Sequence, residues 1–341
     1  MAVADPETIL RERGGLNLVT GATGFTGAVL ARRLLAAGLP VRVLVRSAEK
    51  ARAKGLAEAE IVEGSVADPD AVATALPGVR TVFHLAAVYR EGGLRDEAYR
   101  EVHREGTRRM VEAASAEGGV ERFVHCSTVG IHGHIEHPPA DENAPVAPGD
   151  IYQQTKWEGE QAAWQGAAER DLPVSVVRPT AIFGPEDERL LKLFRLAQRS
   201  PALLLGRGTI GYHMVQVEDL VDGFLLAATR PEAVGEAFII GGEQAASLNE
   251  IVRTMARLSG RSGRILHLPA PPFQWAGSLC ERLCIPLGIA PPIYRRRVDF
   301  FTKSRDFTIA KARERLGYRP RYSLEEGLRE TLAGYRERGW L

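Results

Sequence analysis

Cysteine is scarce in this chain, and its longest apolar stretch is interrupted by charges. Three cysteines occur, and no arginine-led apolar stretch ending in small residues opens the chain, so a cytoplasmic protein is expected. Cys280 and Cys284 lie four residues apart without a second Cys or His pair, which favours packing over a metal or redox site. The longest apolar stretch, 266–289, contains Glu281, Arg282 and four prolines, so a membrane-spanning helix is excluded. This stretch is interpreted as a helix that lies on a membrane surface, covers an apolar substrate pocket or packs in the ordinary way.

Net charge is also nearly absent, because 44 Lys and Arg residues are balanced by 43 Asp and Glu residues. Such a balance produces no overall field that would attract a polyanion, so nucleic acid is not expected as a partner. A chain of 341 residues with 45% hydrophobic content forms one large domain or two joined domains with a sizeable core.

Short apolar runs alternate with amphipathic or turn-rich segments in the first half of the chain. Leu16–Thr20 is followed by a glycine-rich turn, an amphipathic stretch at 26–37 and a second run at 41–46, which predicts a β-α-β unit. Similar runs follow at 60–62, 81–87, 122–127 and 174–178. Nearly continuous apolar strands between helices predict an α/β fold with a parallel sheet covered on both faces, of the doubly wound Rossmann type.

After residue 179 the apolar runs shorten, to 203–205, 214–217, 238–240 and 265–268. We therefore expect a nucleotide-binding domain over 15–180, with segments around 212–240 returning to it. Residues 181–341 then form mainly a smaller mixed α/β substrate domain. The last helix is predicted to begin near Ser323, because acidic residues in a first turn suit the positive end of a helix. The first 14 residues are expected to form a peripheral arm.

A glycine-rich turn follows the first predicted strand directly. Gly21, Gly24 and Gly27 of GATGFTG let backbone N–H groups and the positive helix end approach a pyrophosphate. The strand and helix on either side favour a dinucleotide site over a merely tight turn. The second strand ends at Arg46 with Lys50 nearby, where NAD-specific sites carry an acidic side chain. Arg46 favours the 2'-phosphate of NADP, with NAD and a solvated surface arginine as alternatives.

Tyr152 and Lys156 of YQQTK lie four residues apart, on one face of a predicted helix. The ammonium group stabilises a phenolate, as a general acid or base requires. Thr128 follows the fifth predicted strand at the carboxyl edge of the sheet, where doubly wound folds bind ligands. Thr128 is the candidate for a hydrogen bond to the substrate oxygen, and its neighbour Ser127 competes for that role.

Together these motifs resemble the extended short-chain dehydrogenase/reductase family of NAD-dependent epimerases and dehydratases, in the branch of 3-beta-hydroxysteroid dehydrogenases and dihydroflavonol reductases. The resemblance covers nearly the whole chain and rests on GATGFTG, HLAA, REGTRR, the Ser127-Thr128 strand end, YQQTK, RPTAIFGP, VQVEDL, LGYRP and SLEEGLRETL. It implies that Tyr152 exchanges the hydroxyl proton, Lys156 holds the nicotinamide ribose, and Thr128 orients the oxygen. The cofactor site implied comprises Gly21, Thr23, Gly24, Phe25, Thr26, Gly27, Arg46, Ser65, Val66, Leu85, Ala86, Ala87, Tyr152, Lys156 and Pro179.

The chain departs from the family pattern at several positions. His103 stands where an asparagine usually fixes the active-site strand and helix, so either His103 replaces that donor or the link is lost. Ser65 stands where the family often has Asp. Ala181 and Tyr212 stand where nucleotide-sugar enzymes carry Asn and Arg against the substrate diphosphate, which argues against such a substrate.

Three histidines, His132, His134 and His137, crowd the loop after Thr128. They are interpreted as substrate-facing, as plain surface residues or as metal ligands; no metal site is predicted, because the family chemistry needs none.

The leading interpretation is an NADP-preferring or NAD-dependent oxidoreductase that transfers a hydride between nicotinamide and a secondary alcohol or ketone on a steroid-like or alicyclic molecule. The alternatives are a nucleotide-sugar epimerase or dehydratase that retains NAD, and a dinucleotide sensor without catalysis. By resemblance, helices over 96–117 and 151–168 would form a homodimer.

Overall fold

The computed structural model describes residues 5–89, 94–284 and 295–341. Its strands are β1 (Leu16–Thr20), β2 (Val41–Val45), β3 (Glu60–Glu63), β4 (Val79–His84), β5 (Arg122–Cys126), β6 (Val174–Pro179), β7 (Ala181–Phe183), β8 (Ala202–Leu205), β9 (Gly211–Tyr212), β10 (Met214–Gln216), β11 (Ala237–Ile240), β12 (Ala246–Ser247) and β13 (Ile265–Leu268). Seven of these strands form one parallel sheet in the order β11-β6-β5-β4-β1-β2-β3, which confirms the predicted fold class. The order reverses between β1 and β4, and doubly wound sheets bind ligands outside the carboxyl ends at such a reversal.

The helices are α1 (Pro6–Arg13), α2 (Phe25–Ala36), α3 (Ala48–Ala53), α4 (Pro69–Ala75), α5 (Asp96–Arg100), α6 (Gly106–Glu117), α7 (Ile151–Arg170), α8 (Leu191–Ala197), α9 (Val217–Thr229), α10 (Leu248–Leu258), α11 (Ala270–Cys284), α12 (Arg295–Thr302) and α13 (Leu324–Glu337). A π-helical turn, Glu101–Glu105, joins α5 to α6. No helix in the described ranges is long and apolar enough to cross a membrane.

Both faces of the large sheet are covered by helices. Helices α2 and α9 contact each other on one face, and α9 also contacts β5 and β6. Helices α4, α6 and α7 cover the other face, where Met110, Phe123 and Val176 lie in one apolar cluster. A third cluster, around Phe194 and Tyr335, unites α8, α10 and α13. The division of the chain into two domains stays a prediction.

The strand β4 ends earlier than the sequence suggests. A strand over 81–87 was expected, whereas β4 runs from Val79 to His84. The backbone N–H groups of Leu85 and Ala86 donate to the hydroxyl of Thr20, both at 3.1 Å, instead of to a neighbouring strand. The chain therefore leaves the sheet at His84 and turns toward the glycine-rich segment after β1.

The start of the described chain is a packed helix rather than the expected peripheral arm. Asp5 caps α1 by accepting from the backbone N–H of Thr8 at 3.3 Å. Leu10 is only 2% exposed, and α1 packs against α9. Arg13 donates to the hydroxyl of Thr81 at 3.0 Å and to the carbonyl of Ala228 at 3.1 Å. One buried leucine and one anchoring arginine thus attach this helix to the sheet.

The last helix begins where the sequence predicts. The side chain of Ser323 accepts from the backbone N–H of Glu326, and Glu326 accepts from the backbone N–H of Ser323. This reciprocal capping box satisfies N–H groups that a helix start leaves unpaired.

Candidate active site

A cavity of about 330 Å³ lies beyond the carboxyl ends of β5 and β6. The predicted catalytic residues Thr128 and Tyr152 line it together, as do Ser127 and the predicted cofactor residue Pro179. A larger open depression of about 750 Å³ contains none of the predicted site residues. The predicted catalytic residues are therefore gathered at the smaller cavity.

Lys156 lies one helical turn after Tyr152 and is 2% exposed. Asp150 starts this helix by accepting from the backbone N–H of Gln153 at 2.9 Å. The Lys156 ammonium donates to the carbonyl of Cys126 at the end of β5. Burial lowers the pKa of Lys156, and the neighbouring Cys126 and Glu160 act in the opposite direction. This tether leaves further ammonium hydrogens to donate to a ligand.

Thr128 and Ser127 both remain candidates for orienting a substrate oxygen. The Thr128 hydroxyl accepts from the backbone N–H of Gly130 at 3.0 Å, so its own proton is left to donate. The Ser127 hydroxyl is buried and has no hydrogen-bond partner within the described chain. The contact with Gly130 fixes the Thr128 hydroxyl at the cavity wall.

The ring of Tyr152 is held between two aromatic neighbours. It meets Tyr89 edge-on at 5.1 Å and His103 edge-on at 5.6 Å between ring centroids. The guanidinium of Arg189 lies 5.3 Å from the centre of the Tyr89 ring and forms an ion pair with Asp187 at 2.6 Å. These contacts restrict the orientation of the tyrosine ring at the cavity wall.

His103 preserves the link between strand and helix that the sequence left undecided. Its Nε2 accepts from the backbone N–H of Val88 at 3.0 Å, so Nδ1 carries the proton and faces the Thr155 hydroxyl at 2.8 Å. The loop after β4 is thereby connected to α7. Burial, followed by the charge of Lys156, lowers the pKa of His103 to about 2, so its ring is neutral.

A buried hydrogen-bond chain that sequence reasoning missed lies behind the glycine-rich turn. The His84 ring contacts the hydroxyls of Thr20 at 2.9 Å and Thr107 at 3.0 Å. Thr107 in turn donates to the carbonyl of His103 at 2.6 Å. Burial, followed by Lys156, lowers the pKa of His84 to about 3. The HLAA motif contains this histidine and is the signal that could have found it.

The glycine-rich turn forms a cradle that side chains would fill. Gly21 has φ of +72°, and a Cβ there would lie 2.7 Å from the carbonyl of Leu85 and 2.8 Å from the nitrogen of Ala86. A Cβ on Gly27 would lie 2.3 Å from the carbonyl of Gly21. Gly24 is the N-cap of α2, so this helix directs its N-terminal N–H groups toward the turn. The turn fits a dinucleotide pyrophosphate.

The remaining predicted cofactor residues surround this turn. Thr23 and Thr26 are half-buried, and Phe25 lies 5.6 Å from the Arg189 guanidinium. Val66 is buried against Gly106, while Ser65 accepts from the backbone N–H of Ala67 at 3.2 Å. Ala86 is half-buried and Ala87 is exposed.

Arg46 is exposed just after β2. Neither Arg46 nor Lys50 forms an ion pair within the ranges the structure describes. Lys50 lines a cavity of about 390 Å³ together with Thr23, Arg32, Lys54, Glu186 and Arg338. The space beside the glycine-rich turn is therefore rich in cations.

The two positions that depart from the nucleotide-sugar pattern lie at the candidate cavity. Ala181 and Tyr212 both line the cavity of Tyr152. The cavity also includes Asp187, Arg189 and Phe300, which the sequence analysis did not select. Their side chains reach the cavity from the second half of the chain, and no local motif marks them.

The loop histidines do not face the substrate space, so that interpretation is wrong. His132 is buried, and its Nδ1 lies 2.9 Å from the carbonyl of Ala144. His134 accepts from the backbone N–H of Ser304 at 3.1 Å, and His137 is exposed. None of the three lines the cavity of Tyr152, and the described residues contain no group of three or more potential metal ligands.

The NAD dependent epimerase/dehydratase family model matches residues 17–241. The chain belongs to this family. It is 31% identical to a 3-beta-hydroxysteroid dehydrogenase of Mycolicibacterium neoaurum, covering 96% of this chain and 93% of the relative. It is 30% identical to a ceramide reductase of Caulobacter vibrioides, covering 96% of each. The crystal structure of gox2253 matches with a TM-score of 0.81 and 32% identity, over 96% of this chain and 99% of that one. The relatives are dehydrogenases, reductases and epimerases, and the chain is an enzyme of this family.

Proposed function

We propose that this enzyme is an NAD(P)-dependent oxidoreductase that interconverts a ketone and a secondary alcohol. The observation that carries the proposal is that Thr128 and Tyr152 line one cavity while Lys156 is buried one turn behind Tyr152. A phenol can donate the proton that carbonyl reduction requires, an ammonium group can stabilise the resulting phenolate, and a hydroxyl can orient the carbonyl oxygen.

In the direction of reduction, a nicotinamide cofactor held at the glycine-rich turn and by Lys156 would supply the hydride that the carbonyl carbon accepts. Tyr152 donates its phenolic proton to the carbonyl oxygen, and Thr128 donates a hydrogen bond to the same oxygen. Lys156, tethered to Cys126, would stabilise the phenolate that remains on Tyr152, and its other N–H donors would hold the nicotinamide ribose. In the reverse direction the phenolate accepts the proton of the alcohol.

The cavity supports an apolar, steroid-like or alicyclic substrate over a nucleotide sugar. Leu190, Leu193 and Phe300 contribute apolar surface to its wall. Ala181 and Tyr212 provide neither the amide nor the guanidinium that nucleotide-sugar enzymes carry at these positions, and the guanidinium groups at this cavity are those of Arg189 and Arg305. Relatives named for a hydroxysteroid and for ceramide are consistent with this choice.

The cations beside the glycine-rich turn support NADP as the preferred cofactor. Arg46 is exposed without an ion pair inside the described chain, and Lys50 lines the cation-rich cavity next to Thr23. A 2'-phosphate offers these cations charge-assisted hydrogen bonds that the hydroxyl of NAD does not.

The Tyr152→Phe variant tests the reaction. We expect it to abolish hydride transfer while leaving the affinity for the reduced cofactor nearly unchanged, because the phenol acts on the substrate oxygen. The measurement is the loss of reduced-nicotinamide absorbance during a screen of ketones, with Tyr322→Phe as a control remote from the cavity. Retained turnover by Tyr152→Phe, or isomerisation of nucleotide sugars without net consumption of cofactor, would contradict the proposal.

The Arg46→Asp variant tests the cofactor preference. We expect the ratio of kcat/KM for NADPH to that for NADH to fall at least about tenfold, because a charge-assisted contact is replaced by repulsion. Arg52→Asp is the matched control, since Arg52 is also exposed and lies on the adjacent helix α3. An unchanged ratio in Arg46→Asp would assign Arg46 to the solvated surface.

We further propose a homodimer through the helical segments 96–117 and 151–168, in which α5 and α6 both contact α7. The proposal rests on the family resemblance of these helices. The mass of the protein in solution, measured by light scattering, tests it; a monomeric mass at all concentrations would contradict it.

A further inference from the structure

Helix α11 presents large apolar side chains to solvent on one face. Trp275 is 83% exposed, Leu279 57% and Leu283 59%. These residues are spaced four apart, so they form one stripe along the helix. Soluble surfaces normally carry such side chains singly, and a contiguous apolar stripe marks an interaction surface.

The sequence around this stripe is rich in arginine and poor in acidic residues. Residues 251–298 contain eight arginines, one glutamate and no lysine or aspartate, a net charge of +7. The whole chain carries +1, so the remaining residues carry −6. Arg261, Arg264 and Arg282 are exposed and form no ion pair within the part of the chain that the structure describes. The apolar stripe therefore lies in a basic window of the sequence, which Glu250 and Asp299 bound on either side and in which Arg257 pairs with Glu325.

We propose that α11, with Arg261, Arg264 and Arg282, docks on the surface of an anionic lipid bilayer. An interfacial helix inserts tryptophan and leucine at the level of the headgroups while arginines bind anionic lipid phosphates. A second copy of the chain is a weaker fit, because a stable protein interface uses roughly 20 to 30 residues on each side and the stripe has three large ones. Nucleic acid would use the arginines but leave the tryptophan and leucines in water.

Helix α11 also connects the docking surface to the candidate active site. It packs on α12, and Phe300 of α12 lines the cavity of Tyr152. Phe300 meets the ring of Tyr212 edge-on at 5.1 Å on the same cavity wall. A substrate dissolved in the bilayer would thus reach the cavity from the docked side of the molecule. This last step rests on the proposed function, whereas the docking does not.

Vesicle flotation tests the docking. The full-length protein is mixed with vesicles of phosphatidylcholine alone, or of phosphatidylcholine with phosphatidylglycerol, at low and at high salt. We expect flotation with the anionic vesicles at low salt, weaker flotation at high salt because exposed charges are screened, and little with neutral vesicles. Failure of the protein to float with anionic vesicles at low salt overturns the proposal.

Substitutions separate the apolar and the basic contributions. The triple variant Trp275→Ser, Leu279→Ser, Leu283→Ser should lose flotation, and Arg264→Gln should weaken the partition coefficient roughly fivefold. Val234→Ser and Arg336→Gln are matched controls, because both residues are exposed on other parts of the surface. Flotation of the triple variant at the level of the parent protein would contradict the proposal. The proposal would also be wrong if the three substitutions altered only the oligomeric mass of the protein, or only its binding of a DNA probe.

Enzyme assays distinguish failure of the docking from failure of the proposed function. The triple variant should keep kcat and KM for a water-soluble ketone and lose turnover at least about tenfold when an apolar ketone is presented in anionic vesicles. Equal losses with both substrates would contradict delivery from the bilayer. If no ketone is reduced but the parent protein still floats and the triple variant does not, the docking stands and the proposed reaction fails.

Discussion

His103 joins two elements of the candidate site through the two nitrogens of one ring. One nitrogen accepts from Val88 and the other faces Thr155 on α7. The ring also contacts Tyr152 edge-on, so its position affects the proposed proton donor directly. A residue that departs from the family pattern thus keeps the connection by offering both an acceptor and a donor.

Replacement of His103 should therefore alter catalysis more than cofactor binding. We expect His103→Leu to lower kcat at least about tenfold and to destabilise the protein by about 1–3 kcal/mol, because the Val88 N–H is left buried without a partner. His103→Asn should recover part of kcat. Steady-state kinetics and urea unfolding measure both effects, with the exposed His137→Leu as control. Unchanged kcat in His103→Leu would exclude a positioning role.

The attachment of α7 to β6 depends on a buried ion pair. Arg178 on β6 contacts Glu160 on α7 through two hydrogen bonds, at 2.5 and 3.1 Å. The side chains are 7% and 0% exposed. Because α7 carries Tyr152 and Lys156, this pair helps to set the position of the whole helix against the sheet.

Replacing one member of this ion pair should destabilise the protein more than replacing both members. Arg178→Leu leaves the buried Glu160 carboxylate without its ion-pair partner, with the Trp164 indole N–H as its remaining side-chain donor, and we expect a loss of about 3–5 kcal/mol in the free energy of unfolding. The double variant Arg178→Leu, Glu160→Leu should be more stable than Arg178→Leu alone. Arg329→Leu is the control, because its pair with Glu325 on α13 is exposed and contributes less than about 1 kcal/mol. A double variant no more stable than Arg178→Leu would show that the unpaired carboxylate is not the cause.

Five histidines of the described chain are buried with a lowered pKa, and the three with the largest shifts, His84, His103 and His125, should contribute most to the pH dependence of stability. Burial lowers the pKa of His84 to about 3 and of His103 to about 2, and it lowers the pKa of His125 well below its usual value. The folded protein holds these rings neutral, whereas the unfolded chain takes up protons below about pH 6.5. Their contribution is fully present above that pH and is lost progressively as the pH falls toward the folded values.

We expect the free energy of unfolding to fall by up to about 2 kcal/mol per histidine between about pH 6.5 and pH 5. Urea unfolding at several pH values measures this slope. His103→Asn should reduce the slope of the free energy of unfolding against pH by the contribution of one histidine. The exposed His137→Gln should leave this slope unchanged. A slope that is the same in His103→Asn and the parent protein would contradict the assignment.

Local patterns were enough to predict the sheet, the glycine-rich turn and the helical spacing of Tyr152 and Lys156. Each of these features depends on residues close together in the chain. Apolar runs predict the strands, glycines predict the turn, and a spacing of four residues places two side chains on one face of a helix. The start of the last helix at Ser323 was predictable for the same reason.

Only the tertiary structure decided which distant residues meet. Arg189 and Phe300 line the cavity beside Tyr152, His132 turns away from it, and Leu10 is buried. The exposure of Trp275, Leu279 and Leu283 on one face of α11 was likewise decided by the packing of the elements. Such outcomes depend on contacts between segments far apart in sequence, and no local pattern records them because burial and pairing are settled when the elements pack.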